Sequence, residues 1–245
     1  MNKQFRLLVF AFMLFGVADY AMAGKTAYEQ QRNRLIDMIQ TDVSSTSHFL
    51  GKGELDERVL QALRKVPRHE FVPEAQRPNA YLNRPLPIGH GQTISQPYIV
   101  AIMTDLLELD ENSRVLEIGT GSAYQAAVLA EVAGSVYTIE IIEALADRAA
   151  RDLKRLGYDK VQSRAGDGYY GWEEAAPFDA IMVTAAASHI PPPLIKQLKP
   201  GGRMIIPVGG RFTVQHLVLV NKDQQNRITS RQLLPVRFVP LTGDR

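Results

Sequence analysis

The chain has 245 residues, no cysteine, 45% apolar residues and a formal charge of +2. That length supports one domain with a full core, and ordinary apolar content without low-complexity tracts makes it globular. With no basic run and no acidic tail, composition gives no case for nucleic acid; the lack of cysteine suits an oxidising compartment without requiring one.

Lys3 and Arg6 precede an apolar run, Leu7 to Ala18, followed by Ala21-Met22-Ala23 and Gly24. A positive start, a short apolar run and an Ala-x-Ala site predict a secretory signal peptide over 1–23, cleaved near Ala23/Gly24. The run is shorter than the roughly 20 residues of a membrane span. An amphipathic first helix is the poorer reading, because Leu7 to Phe15 is apolar on every face.

Ala27 to Gln40 reads as a helix, with Leu35, Ile36 and Ile39 on one side, and Thr41 to Gly53 as a Ser/Thr/Gly connection. Leu55, Val59, Leu60, Leu63 and Val66 mark an amphipathic helix that stops before Pro67. Pro67 to Pro87 is rich in proline and reads as ordered loop. The stretch "GHGQTISQPYIV", 89–100, has two glycines, a polar run and a proline before it turns apolar.

From Arg114 strands and helices alternate. Arg114–Ile118, Val136–Glu140, Val161–Ala165, Phe178–Thr184 and Arg203–Val208 are expected strands; Ala126–Val132, Ile142–Leu156 and Leu194–Leu198 are expected helices. Such alternation predicts a parallel sheet covered on both faces. Gln215–Val220 and Ile228–Leu234 read as a closing antiparallel pair.

"RVLEIGTGSAYQAAVLAE", 114–131, runs from a strand through Gly119-Thr120-Gly121 into a helix. Glycines there let backbone approach a ligand, at the carboxyl end of a strand and a switch point of the sheet. About twenty residues on, Glu140 ends the second strand, where an acid accepts from ribose hydroxyls. A dinucleotide needs a third glycine, but Tyr124 stands at that position. Glu117, Gly119, Gly121 and Ala123 instead fit the adenosylmethionine loop of class I methyltransferases, with Glu117 placed to neutralise a cationic amino-acid end. A tight turn in an unrelated sheet protein is the plainer alternative. In "AGDGYYGW", Asp167 and Gly168 follow the third strand, where an Asp reaches an adenine amino group.

After "FDAIMVT" come Ala185-Ala186-Ala187-Ser188, which offer nothing to stack a flipped base. The five histidines have no metal spacing, and no Ser/His/Asp pattern stands out.

"VPRHEFVP", "LPIGHGQTISQPYIVAIMTDLL", "VLEIGTGSAYQAAVLA", "GDGYYGW", "FDAIMVTAAASHIPPPLIKQLKPGGRMIIPVG" and "VRFVPL" occur in this order. Together they resemble the protein-L-isoaspartate (D-aspartate) O-methyltransferase family, from about Ala27 to Leu241. The resemblance implies an α/β, Rossmann-like class I methyltransferase fold: a mostly parallel, doubly wound sheet with antiparallel closing strands and N-terminal helices. A single domain is then expected over 24–245, with helices and a substrate-side loop in 24–110 and the cofactor sheet in 111–245.

The resemblance implies methyl transfer from S-adenosyl-L-methionine to the free carboxylate of isoaspartyl residues in damaged proteins. Ser95 would orient that carboxylate, with Thr93, Ile94, Gln96 and Val239 on the substrate side. Glu117, Gly119, Thr120, Gly121, Glu140, Asp167 and Gly168 would hold the cofactor, and no metal is implied. A competing reading makes Ser95 a helix N-cap before Pro97. Where many relatives carry glycine this chain has Ala123, whose methyl is expected to weaken cofactor binding modestly. The expected partners are isoaspartyl-containing proteins and peptides, with no nucleic acid, no stable membrane association after signal removal and a monomeric state. A periplasmic location is expected, a cytoplasmic one being the alternative. Other readings are a non-catalytic exported binding protein, a different carboxylate acceptor and an NAD oxidoreductase.

Overall fold

The computed structural model describes residues 27–210 and 213–243; the predicted signal over 1–23 lies outside them. Helix α1 covers residues 27–45, past its expected end at Gln40, and a one-turn helix α2 (Ser47–Leu50) follows. The Thr41, Ser45 and Thr46 hydroxyls donate to carbonyls three or four residues back, so these side chains follow the helix instead of competing with it. Helix α3 (Glu57–Lys65) is capped by Asp56, which accepts from Arg58 N, and stops before Pro67 as its sequence requires.

The proline-rich segment is more ordered than a loop. It forms two 3-10 turns, Arg68–Phe71 and Glu74–Asn79, and then strand β1 (Leu86–Gly89). Strand β2 (Gln92–Ile94) pairs with β1 as an antiparallel hairpin. Its turn residues His90 and Gly91 both have positive φ, 53° and 71°, as in tight hairpin turns that match strand twist. Helix α4 (Pro97–Leu106) follows, with all ten residues buried. A helix buried on every side has no polar face, so no amphipathic period announces it.

The remainder alternates as expected: β3 (Arg114–Ile118), α5 (Tyr124–Val132), β4 (Ser135–Glu140), α6 (Glu143–Arg155), β5 (Val161–Ala165), β6 (Phe178–Val183), α7 (Pro192–Gln197) and β7 (Leu198–Val208), then β8 (Gln215–Lys222) and β9 (Ile228–Val236). The sheet order is β5-β4-β3-β6-β7-β8-β9; β3 to β7 are parallel, and β8 and β9 are antiparallel. From β3 the chain moves outward to β4 and β5, then returns to β6 on the other side of β3. A crevice opens at the carboxyl ends of β3 and β6, where the direction reverses.

Strand alternation sorts the side chains. Leu116, Ile118, Tyr137 and Ile139 pack into one core with Phe178 and Leu194. Val115 and Val136 face the opposite core, shared with helices α3, α4 and α5. Glu117, Thr138 and Glu140 lie on that second side, beneath the glycine loop. This α/β architecture, with a mostly parallel sheet and two antiparallel closing strands, is the one the sequence implies.

Candidate active site

The glycine loop is shaped by its neighbours. Gly119 has φ 96°, and a Cβ there would stand 2.5 Å from Thr184 Oγ1. That hydroxyl donates to the Ile118 and Gly119 carbonyls at 2.9 and 2.6 Å, tying the end of β6 to the start of the loop. Four of the loop amides are already engaged. Gly119 N and Thr120 N donate to Ile139 O at 2.8 and 3.2 Å, Ala123 N donates to Thr120 O at 2.8 Å, and Gly121 N donates to Glu140 Oε2 at 2.8 Å. A pyrophosphate needs such amides free at the helix start. Tyr124 fills the third-glycine position, buried 5.7 Å from the Phe71 ring. The buried ring takes the place of the third glycine that a dinucleotide loop uses for close helix–strand packing.

Glu140 accepts from Gly121 N through one oxygen and from Ile142 N through the other, at 3.0 Å. Each oxygen retains a second acceptor site, and the residue lines the cleft above the loop. Glu117 does not line it. Its side chain is fully buried beside Thr138, its register partner on β4. Thr138 Oγ1 donates to Glu117 Oε2 at 2.6 Å and accepts from Thr120 Oγ1 at 2.7 Å, while Oε1 is buried without a partner. Burial pushes the carboxyl up to about 8, with Glu140 adding to the rise and the Thr138 hydrogen bond opposing it. A buried, protonated acid below the loop is not placed to neutralise a cationic ligand end. Its contact with the cleft runs through Thr138 and Thr120.

Asp167 accepts from Tyr169 N through Oδ1 at 2.9 Å; Oδ2 is buried and has no partner among the described residues. Gly243, near the chain end, packs against this carboxylate. Gly168 approaches β3 so closely that a Cβ would collide with Ile118. Ala123 departs from its expected effect. It is fully buried, stands at the N-cap of α5 with φ 68°, and does not line the cleft. Its methyl strains the backbone instead of crowding a ligand.

The cleft over the loop, open to solvent, is lined by Gly119, Thr120, Gly121, Glu140 and Gly168, together with Thr93, Ile94, Ser95 and Val239. A second cleft, of about 520 Å³, lies between α1, α4 and the segment after β9, with Asp42, Thr46, Gln96, Tyr98, Arg237 and Phe238 among its walls. Thr93, Ser95, Thr184 and Val239 line both clefts, so the two meet at these residues. The Ser95 hydroxyl makes no hydrogen bond to the described residues. It is not the helix cap: that position belongs to Gln96, whose side chain makes no cap bond either.

Sequence reasoning missed Thr184, though a lone hydroxyl closing the apolar "FDAIMVT" strand was a signal. It also missed what the three alanines after β6 do. Ala186 N donates to Val239 O at 2.8 Å and Leu241 N donates to Ala186 O at 2.7 Å, so the segment after β9 is strapped beside β6 and across the cleft. Gln215 pins the same segment, accepting from Phe238 N at 2.6 Å and donating to Phe238 O at 3.2 Å. Small side chains at Ala185–Ala187 leave room for that strap.

The model of the family described as Protein-L-isoaspartate(D-aspartate) O-methyltransferase matches residues 49–245. A Syntrophobacter fumaroxidans protein, Protein-L-isoaspartate O-methyltransferase 2, is 65% identical over 221 residues, 90% of each chain. A solved protein-L-isoaspartate O-methyltransferase superposes with a TM-score of 0.76 at 29% identity, covering 86% of this chain and 66% of that one. A Plasmodium falciparum structure of the same description, in complex with S-adenosyl-L-homocysteine, gives 0.65 at 27% identity over 76% of this chain and 91% of that one. Matched along most of its length by the family model and by a relative this similar, the chain belongs to the protein-L-isoaspartate (D-aspartate) O-methyltransferase family.

Proposed function

We propose that the protein transfers a methyl group from S-adenosylmethionine to the free side-chain carboxylate of L-isoaspartyl and D-aspartyl residues in damaged proteins. The resulting ester closes to a succinimide, whose hydrolysis returns some normal aspartate. The observation that carries this reading is the junction of the two clefts at Ser95.

The first cleft suits the cofactor. Glu140 offers two acceptor sites for a ribose diol; Asp167 stands next to the cleft-lining Gly168, and its buried, orphaned Oδ2, now packed against Gly243, is the acceptor proposed for an adenine amino group. Gly119 and Gly121 let a ligand approach the loop backbone, and the amides of Gly119, Thr120, Gly121 and Ala123 are already engaged within the protein, which fits a ligand lacking phosphate. Bound there, S-adenosylmethionine supplies an activated sulfonium methyl.

The second cleft admits the peptide. The junction residues Thr93, Ser95, Thr184 and Val239 include no titratable side chain, and the reaction needs none. A carboxylate with a pKa near ~3.9 is already ionised at neutral pH. What remains is alignment for in-line attack, worth roughly 7–11 kcal/mol at best. The uncommitted Ser95 hydroxyl donates one hydrogen bond to the acceptor and fixes its orientation. A neutral donor leaves the carboxylate more nucleophilic than Arg or Lys would. Thr93, Ile94 and Gln96 shape the loop, and Val239 closes it from the strap.

Methyl transfer to an isoaspartyl peptide, measured beside its normal aspartyl twin, tests the reading. Ester formation on the first alone is expected. Equal transfer to both would point to another carboxylate acceptor, and cofactor binding without transfer to a non-catalytic protein.

The protein is further proposed to be exported and to act in a bacterial periplasm, on the strength of Lys3, Arg6, the apolar run and Ala21-Met22-Ala23. Cell fractionation with N-terminal sequencing should find a mature start at or near Gly24; a cytoplasmic chain starting at Met1 or Asn2 would refute export alone.

A further inference from the structure

Arg68 is the largest fully buried side chain among the described residues. It stands in "VPRHEFVP", directly after α3, and makes no ion pair with any described carboxylate. Its guanidinium instead spans two carbonyls: Nε donates to Ala80 O at 2.9 Å, and Nη2 donates to Ser95 O at 2.8 Å. Its Cζ lies 4.9 Å from the centre of the Tyr124 ring, at the first residue of α5. Nη1 is buried with no partner among the described residues. A second arginine does the same at the other end of the hairpin. Arg148 on α6 donates from Nη1 to Ile88 O at 2.8 Å, and its Nη2 is likewise buried and unpartnered. Ile88 in turn packs on the glycine loop, 3.5 Å from where a Cβ of Gly121 would stand.

Burying a cation without a carboxylate is costly, and an apolar residue of similar volume would often be more stable there. What the guanidinium supplies is a planar fork of donors that reaches two separate segments, which a lysine ammonium does not reproduce. Its donors join the acceptor loop at Ser95 to the segment at Ala80, and its face lies over Tyr124 at the start of the helix behind the cofactor loop. We propose that Arg68 and Arg148 are positioning residues for methyl transfer: they clamp the β1–β2 hairpin at its exit and beside its turn and so set the distance between Ser95 and the cofactor loop. This rests on the reading of Ser95 as the residue that orients the acceptor.

The test compares Arg68→Lys, Arg148→Lys, Ser95→Ala and the Arg68→Lys/Ser95→Ala double variant in the full chain. Measurements are kcat and KM on an isoaspartyl peptide, S-adenosylhomocysteine affinity by calorimetry, and thermal unfolding. A displacement near 1 Å at a reacting centre can cost about 100-fold in rate. The expected result for each lysine variant is a kcat lowered roughly 10- to 100-fold, with S-adenosylhomocysteine affinity within about 3-fold of the parent. The double variant should be no slower than the slower single variant, because residues acting through one contact are not additive. Ser95→Ala at the parental rate would remove the reading of Ser95, and the clamp with it. If Ser95→Ala is slow, a parental kcat in both lysine variants overturns the clamp alone, as does a multiplicative loss in the double variant. Should Arg68→Lys fail to fold, Arg148→Lys decides by the same criteria.

Discussion

The two halves of the proposed active site are built differently. Most of the cofactor half comes from one continuous stretch, residues 114–140, in which strand, glycine turn, helix and strand follow each other and each positions the next; Asp167 and Gly168 join it from the turn after β5. The acceptor half is assembled from the hairpin at 86–94, the Ser95 turn, the end of β6, helix α1 and the segment after β9, which lie far apart in sequence. Local rules govern the first half, so one residue's backbone geometry decides whether it forms. The second half depends on tethers between distant segments, so its residues change turnover while leaving the cofactor half intact.

The largest break is expected at Gly119. An alanine there combines a left-handed φ with a Cβ pressed on Thr184 Oγ1. Loop distortion of this kind costs on the order of 3 kcal/mol. Calorimetry should show S-adenosylhomocysteine binding weakened by roughly 100-fold, a loss of about 2.7 kcal/mol.

Glu140→Ala comes next. It removes the acceptor for Gly121 N and Ile142 N as well as the proposed ribose contact. A charge-assisted contact of this type is worth about 1.5–3 kcal/mol. Cofactor affinity should fall by that amount while far-UV circular dichroism is unchanged; parental affinity would take Glu140 out of the site.

On the acceptor half, Ser95→Ala should lower kcat about 10-fold, in line with one lost hydrogen bond to a charged group. Titration with S-adenosylhomocysteine should give an affinity within about 2-fold of the parent. An equal loss of cofactor binding would merge the two halves that this comparison separates.

Glu117 gives a pH signature to the cofactor half. Burial raises its carboxyl from the ordinary 4.5 to about 8, so the folded protein holds a proton that the unfolded chain releases between those values. The stability tied to that proton is fully present below about pH 4.5 and is lost as pH rises to about 8, at up to about 1.4 kcal/mol per unit. Urea unfolding of Glu117→Gln from pH 5 to 8 should show a flatter dependence than the parent. Parallel curves would mean that the carboxyl titrates normally.

The smallest effect is expected at Ala123. Its φ of 68° strains an alanine but not a glycine. Ala123→Gly should raise stability by about 0.5–1 kcal/mol. Cofactor affinity should stay unchanged, since the methyl lies outside the cleft; tighter binding without added stability would restore the crowding explanation.

The sequence by itself determined the cofactor half and the fold class. Strand–turn–helix order, the paired glycines and the spacing to Glu140 are local patterns, and the structure builds β3, α5 and β4 where those patterns lie. Tyr124 spoke against a dinucleotide by its bulk alone. The tertiary structure decided the rest. The hairpin has strands of four and three residues, and α4 is buried all round, so neither leaves a period to read. Glu117 stood in the expected motif, but only its depth beside Thr138 shows that it supports the loop from below. Ser95 could be read as a cap or as a substrate contact until α4 was seen to start one residue later, at Pro97, with Gln96 as its cap. The partners of Thr184, Ala186 and Arg68 are not legible locally, because each acts on backbone twelve or more residues away in the chain, and Thr184 and Ala186 on backbone more than fifty away. Periodicity and turn chemistry reach only neighbours in sequence, whereas the meeting of two clefts is a property of packed segments that folding alone brings together.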